Sequence, residues 1–164
     1  MSAAAEISGA HHQAMHIVLV EPEIAPNTGS IARLCAATQS PLHLIEPLGF
    51  RIDDKHLRRA GLDYWAYVEV YRYPNWNSFA EGHTSDHLVF LSARSGRSYT
   101  ACRYRGDDFL VFGGESRGLP QELRKSYADR FYGIPMASTH VRSLNLATAA
   151  AIVLYEALRQ LKHV

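Results

Sequence analysis

Six short apolar runs, at residues 16–20, 42–45, 67–71, 88–91, 109–112 and 131–134, are each bounded by Gly, Pro, Asn or Asp. Runs this short and this continuously apolar suit strands covered on both faces, as in a parallel sheet. Helices are predicted between them. One follows Asn27-Thr28, with Ile31, Leu34, Cys35 and Thr38 on a shared face; others begin near Asp53, Asn75 and Pro120, the last with proline in the favoured first turn. The final segment, residues 144–161, is rich in Ala and Leu and apolar on nearly all sides through Ala157, which predicts heavy burial. Strands alternating with helices define an α/β domain, a mostly parallel sheet flanked by helices.

A chain of 164 residues fits one domain, and no repeat, low-complexity tract or linker divides it. Residues 1–14, Ala-rich with His11-His12, read as a flexible extension, which leaves residues 15–164 as a single domain. Lys plus Arg is 17 against 16 Asp plus Glu, so no global field draws the chain to nucleic acid or membrane, and any polyanion must be held by a local patch. Cys35 and Cys102 lack Cys-x-x-Cys spacing, which argues against a disulfide framework or a zinc site. The nine histidines form no Glu-x-x-His pair, and no metal is expected. With no long apolar run and no signal-peptide pattern at the start, a cytoplasmic protein is expected.

The chemistry gathers in the last third. The run at 109–112 leads directly into Gly113-Gly114, at the strand end where open α/β sheets bind ligands, and glycine there admits close approach to the backbone. No Gly-x-Gly-x-x-Gly follows the first strand and no Gly-Lys-Ser/Thr loop occurs, which argues against nicotinamide dinucleotides and nucleoside triphosphates. Glu115, Ser116 and Arg117 stand between glycines in a shaped loop; Ile134-Pro-Met136 follows the sixth run, and Arg142-Ser-Leu-Asn-Leu146 opens the last helix, with Ser143 or Asn145 as its cap. These segments predict a pocket of backbone and small side chains with few charged groups.

Asn27-Thr-Gly-Ser-Ile-Ala-Arg33, Phe112-Gly-Gly-Glu-Ser-Arg-Gly-Leu-Pro120, and Ile134-Pro-Met136 with Arg142-Ser-Leu-Asn-Leu146 resemble the three ordered motifs of the SPOUT, or α/β-knot, RNA methyltransferases. The resemblance spans residues 15–161. Glu21-Pro-Glu-Ile-Ala-Pro26, Ile45-Glu-Pro-Leu-Gly-Phe50 and Arg58-Arg-Ala-Gly-Leu-Asp-Tyr64 are similar to its TrmL subgroup, and the loop at 137–141 is one residue longer than the pattern. The resemblance implies a C-terminal trefoil knot, which topology rules alone would not anticipate. It also implies S-adenosylmethionine as methyl donor, a homodimer with both sites at its interface, and methylation of the ribose 2′-hydroxyl of the wobble pyrimidine, cytidine or uridine, in tRNA. Another tRNA or rRNA nucleotide, or a non-catalytic RNA-binding module of the same fold, are the alternatives.

By that resemblance Leu91, Gly113, Ile134, Met136, Ser143 and Leu144 would hold the donor, and Arg33, Asn27, Glu115, Ser143 and Asn145 would carry catalysis. A guanidinium does not normally lose its proton, so Arg33 is expected to stabilise the phosphate and the developing alkoxide rather than act as a base. Two arginine clusters interleaved with aromatics suit phosphate contact and base stacking. One holds Arg94, Arg97, Arg103 and Arg105 with Tyr99 and Tyr104; the other holds Arg51, Lys55, Arg58 and Arg59 beside Tyr64 and Trp65.

Overall fold

The computed structural model describes residues 14–53 and 64–164. Six strands join one sheet: β1 (His16–Val20), β2 (Leu42–Ile45), β3 (Val70–Tyr73), β4 (Leu88–Leu91), β5 (Phe109–Phe112) and β6 (Phe131–Tyr132). Every pairing is parallel, in the order β3-β2-β1-β5-β4-β6. Successive side chains on a strand point to opposite faces, and here both faces are covered. Ile17, Leu19, Val89, Leu91, Leu110 and Phe112 pack under α1 (Ala25–Thr38) and a long C-terminal helix, while Val18, Val20, Phe90, Phe109 and Val111 pack against Phe79, Leu119 and Leu123. This three-layer arrangement is why the runs show no polar alternation.

Phe79 and Leu123 come from two short helices, α2 (Trp76–Ala80) and α3 (Gln121–Ser126). The Asn75 side chain accepts from Ser78 N at 2.9 Å to cap α2, whereas Pro120 stands at the cap of α3 rather than within its first turn. The last helix, α4, covers Leu146–Gln160, later than expected because Asn145 Oδ1 accepts from the Ala147 and Thr148 amides at 2.9 and 3.2 Å. Its burial is narrower than its composition suggests. Ala150, Val153, Leu154, Ala157 and Leu158 form one buried stripe, and Tyr155 is 46% exposed.

Two strands depart from the expected bounds. Residues 65–67 close a 3-10 turn, with Tyr67 N donating to Tyr64 O at 2.9 Å, so the third strand begins only at Val70, opposite Leu42. As the sheet's edge it leaves Tyr71 and Arg72 exposed. β6 stops after two residues because Gly133 turns to Arg97, donating to its carbonyl at 2.8 Å and accepting from Tyr99 N at 2.9 Å. The helix expected near Asp53, with Lys55, Arg58 and Arg59, lies outside the described residues.

Away from the strand ends that bear the motifs, His43 is buried at 2% exposure, with its Nε2 2.9 Å from His16 Nδ1 and its Nδ1 3.1 Å from the Tyr73 hydroxyl. Burial, reinforced by His16 and His83, pushes its pKa down to about 3 from an ordinary 6.5, and burial also lowers that of His16. Protonation is penalised in the folded chain and not in the unfolded one, so the His43 contribution is complete above pH 6.5 and drains as pH falls toward 3, at up to about 1.4 kcal/mol per unit, and His16 acts in the same direction. The melting temperature is expected to fall by roughly 5 to 10 °C from pH 7 to pH 5, and by clearly less in His43→Phe. Parallel slopes for the two proteins by scanning calorimetry would contradict this.

Candidate active site at the strand carboxyl ends

A cavity of about 790 Å³ opens where β1, β4, β5 and β6 end. Its apolar wall is Leu91, Phe112, Ile134, Met136, Leu144 and Leu146; Gly113–Gly118 forms the loop side and Ser143 and Asn145 mark the start of α4. The sequence-derived donor residues Leu91, Gly113, Ile134, Met136, Ser143 and Leu144 all line it, as do Asn27, Glu115 and Asn145. None of residues 137–141 does.

Three distant segments meet at the cavity edge. Asn145 Nδ2 donates to Asn27 Oδ1 at 2.9 Å, and Asn27 Nδ2 donates to Glu115 Oε1 at 3.2 Å. The same carboxylate accepts from Ile24 N at 3.1 Å and, through Oε2, from Glu23 N at 2.7 Å. α1 has no side-chain cap of its own, so a loop some ninety residues later supplies the anion for its amino end. In return Glu23 accepts from the Ser116 amide at 3.2 Å and hydroxyl at 2.6 Å. That hydroxyl holds the Glu23 carboxyl below its usual range against the opposing effect of burial, with the Ser116 and Arg117 amides and the Arg117 charge adding to it.

Some expectations change. The cavity is not poor in charge: Arg94, Arg117, Arg124 and Arg142 line it besides Glu115. Arg33 does not line the cavity of its own chain; it is exposed on α1, with its guanidinium 5.1 Å from the centre of the Tyr64 ring. Arg97 is committed within its own chain, donating to Asp129 O and the Tyr132 hydroxyl and lying 4.3 Å over the Tyr132 ring. Tyr104 is 6% exposed, with its hydroxyl on Tyr99 O, and is closed to base stacking. Arg103 lines a smaller cavity of about 330 Å³ with Arg105 and Arg130. Among the described residues no group of three or more His, Cys, Asp or Glu could hold a metal ion, and no helix is long and apolar enough to cross a membrane. Sequence reasoning missed Glu23, although it lies in the singled-out Glu21–Pro26 segment, and missed Arg117 and Arg142 as cavity cations.

Sheet and cavity define an α/β domain whose main cavity lies across the carboxyl ends of parallel strands, the place where open α/β sheets bind their ligands. The chain belongs to the SpoU rRNA Methylase family, whose model matches residues 14–155. It is 48% identical over 147 residues to the tRNA (cytidine(34)-2'-O)-methyltransferase of Saccharophagus degradans, covering 89% of this chain and 95% of that one. A solved structure described as structural insights into the 2-OH methylation of C/U34 on tRNA is 43% identical with a TM-score of 0.82, covering 92% of this chain and 97% of that one. An AdoMet-bound rRNA methyltransferase from Sinorhizobium meliloti is 25% identical with a TM-score of 0.77, covering 90% of this chain and 57% of the other.

Proposed function

We propose that this chain is a tRNA methyltransferase that transfers a methyl group from S-adenosylmethionine to the ribose 2′-hydroxyl of the wobble pyrimidine, cytidine or uridine. The observation that carries the reading is the Asn145–Asn27–Glu115 chain of hydrogen bonds, which joins three separate motif segments at the edge of one cavity. The named activity of the Saccharophagus degradans relative supports the substrate.

The residues fit an adenosyl ligand. The volume is that of a site for a molecule of this size, one wall is aliphatic, and the loop wall closes tightly because Gly113 has no Cβ, which would lie 2.1 Å from Gly118 C. S-adenosylmethionine, when bound, supplies an electrophilic methyl group. Leu91, Ile134, Met136 and Leu144 exclude water, and Ser143 offers a hydroxyl at the rim. Asn27, Glu115 and Asn145 hold one another and so fix the approach of the nucleotide. Arg33 stays charged and stabilises the negative charge that grows on the ribose oxygen.

Because Arg33 lies outside its own cavity, the reading includes a homodimer in which a second copy supplies it. Tyr155 exposed on α4, with Ala151 and Ile152 half-buried a turn or less before it, supports such a partner. A tRNA substrate supports a cytoplasmic location for the enzyme. By kinship the C-terminal part of the chain forms a trefoil knot; the hydrogen bonds that hold Gly133 against Arg97 and Tyr99 are compatible with that reading.

For tRNA, Arg94 and Arg142 are exposed at the cavity mouth, and neither guanidinium has an ion pair or hydrogen bond among the described residues. In Arg94→Ala/Arg142→Ala, tRNA binding at low salt is expected to weaken on the order of tenfold, and the slope of log affinity against log salt to flatten by about 1.4, as for two lost phosphate contacts. An unchanged slope in filter binding would remove these two residues from the interface. For the reaction itself, labelled methyl is expected to pass to an anticodon stem-loop and to stop when the wobble nucleotide alone is 2′-deoxy; continued transfer would refute the ribose assignment.

A further inference from the structure

The chain ahead of α1 and the loop after β5 exchange carboxylates. Glu115 takes the amides of Glu23 and Ile24, and Glu23 takes the amide and hydroxyl of Ser116. Each segment satisfies donors of the other across more than ninety residues of sequence. Close backbone approach fixes the same place from two more sides. A Cβ on Gly114 would meet Glu21 O at 2.7 Å and Glu23 Oε1 at 2.8 Å, and one on Gly49 would meet Glu23 O at 2.6 Å and its Cα at 2.7 Å. Gly49 N donates to Pro22 O at 2.9 Å, Glu21 N donates to Ile45 O at 2.8 Å, and Glu21 is held at φ 53°, a left-handed conformation that costs a non-glycine residue. Glu23 is thus wedged between the loops that follow β2 and β5.

We propose that Glu23 is a positioning residue for methyl transfer: its carboxylate sets the Ser116–Gly118 turn that walls the donor cavity and locks that wall to the helix bearing Asn27 and Arg33. This rests on the reading that the cavity takes S-adenosylmethionine. Glu23 does not itself line the cavity; Ser116, Arg117 and Gly118 do, so it acts through them. Among the described residues, the tie within the turn itself is Gly118 N donating to Gly114 O at 2.9 Å, and the Arg117 side chain is exposed. Without the carboxylate the Ser116 donors lose their partner, and the wall is free to shift. The core is untouched, because Glu23 and Ser116 belong to neither buried cluster. Function and stability should therefore part company.

The test is calorimetric titration of S-adenosylmethionine into the purified full chain, alongside melting curves, for wild type, Glu23→Gln, Glu23→Ala, Ser116→Ala and Glu23→Ala/Ser116→Ala. Donor affinity in Glu23→Ala is expected to fall on the order of tenfold, the scale of a lost hydrogen bond to a charged group, with the melting temperature within a few degrees of wild type. Glu23→Gln keeps an acceptor oxygen and should fall between the two, and the double variant should bind no more weakly than Glu23→Ala, because the partners act as one unit. Should Glu23→Ala fail to fold, Glu23→Gln and Ser116→Ala carry the same comparison. Wild-type binding matched by every variant, or strictly additive losses, overturns the proposal and leaves the donor reading intact; no binding by wild type overturns both.

Discussion

Arg33→Ala is expected to lower kcat for methyl transfer by on the order of 10²- to 10³-fold, the effect of deleting one charge-stabilising donor at a reacting oxygen. Stability should barely respond. The residue is exposed and its recorded partner is the Tyr64 ring at 5.1 Å, an exposed cation-π contact of about 0.5 to 1 kcal/mol, so the melting temperature should drop by no more than about 4 °C. Arg33→Lys tests the same claim more finely: full turnover with normal tRNA affinity would defeat the role given to the guanidinium. Mixed dimers test the origin of the arginine. If it serves the partner's cavity, co-expressing Arg33→Ala with a variant dead in the donor loop builds one intact site in each heterodimer, and about a quarter of wild-type activity returns. Heterodimers that form and stay inactive would show instead that Arg33 serves its own chain.

The second large effect is at Gly113. An added methyl would stand 2.1 Å from Gly118 C and 2.2 Å from Leu119 N, far inside the separation at which carbon atoms attract. Both neighbours are backbone, and Leu119 is anchored in the core at 3% exposure, so relief must come from opening the turn. Gly113→Ala is expected to abolish detectable donor binding by calorimetry and to lower the melting temperature by roughly 5 to 10 °C. Gly96→Ala is the control. Its new methyl meets nothing within 4 Å, and both properties should stay as in wild type. Tight donor binding by Gly113→Ala would contradict the placement of the ligand against this loop.

Much of the fold is legible because it depends on local pattern. Four apolar runs become β1, β2, β4 and β5 with the expected bounds, since strands buried on both faces are almost wholly apolar, His16 and His43 apart, and stop at the flanking turns. The run at 67–71 misleads because an edge strand is defined by its partner: pairing of Val70 with Leu42, not the aromatic content, decides where β3 begins. The site divides in the same way. Gly113, Ile134, Met136 and Ser143 are readable as motif members after strands or before a helix, and all line the cavity. What sequence cannot give is mutual geometry. Nothing in Glu23 or Ser116 alone announces that they bond across 93 positions, nor does the row of arginines at 94–105 reveal that Arg97 is spent on Tyr132 while Arg142, from another motif, faces the cavity. Arg33 is the reverse case: its motif is plain, and only the structure shows that it does not line the cavity of its own chain.

Everything converges on where one methyl group is placed. Total tRNA lacking wobble methylation, incubated with the wild-type chain and S-adenosylmethionine and then digested for mass spectrometry, should yield a cytidine or uridine at the first anticodon position that is heavier by one methyl on its ribose. A methyl found on a base, at another nucleotide, or nowhere in tRNA that the chain demonstrably binds would contradict that placement.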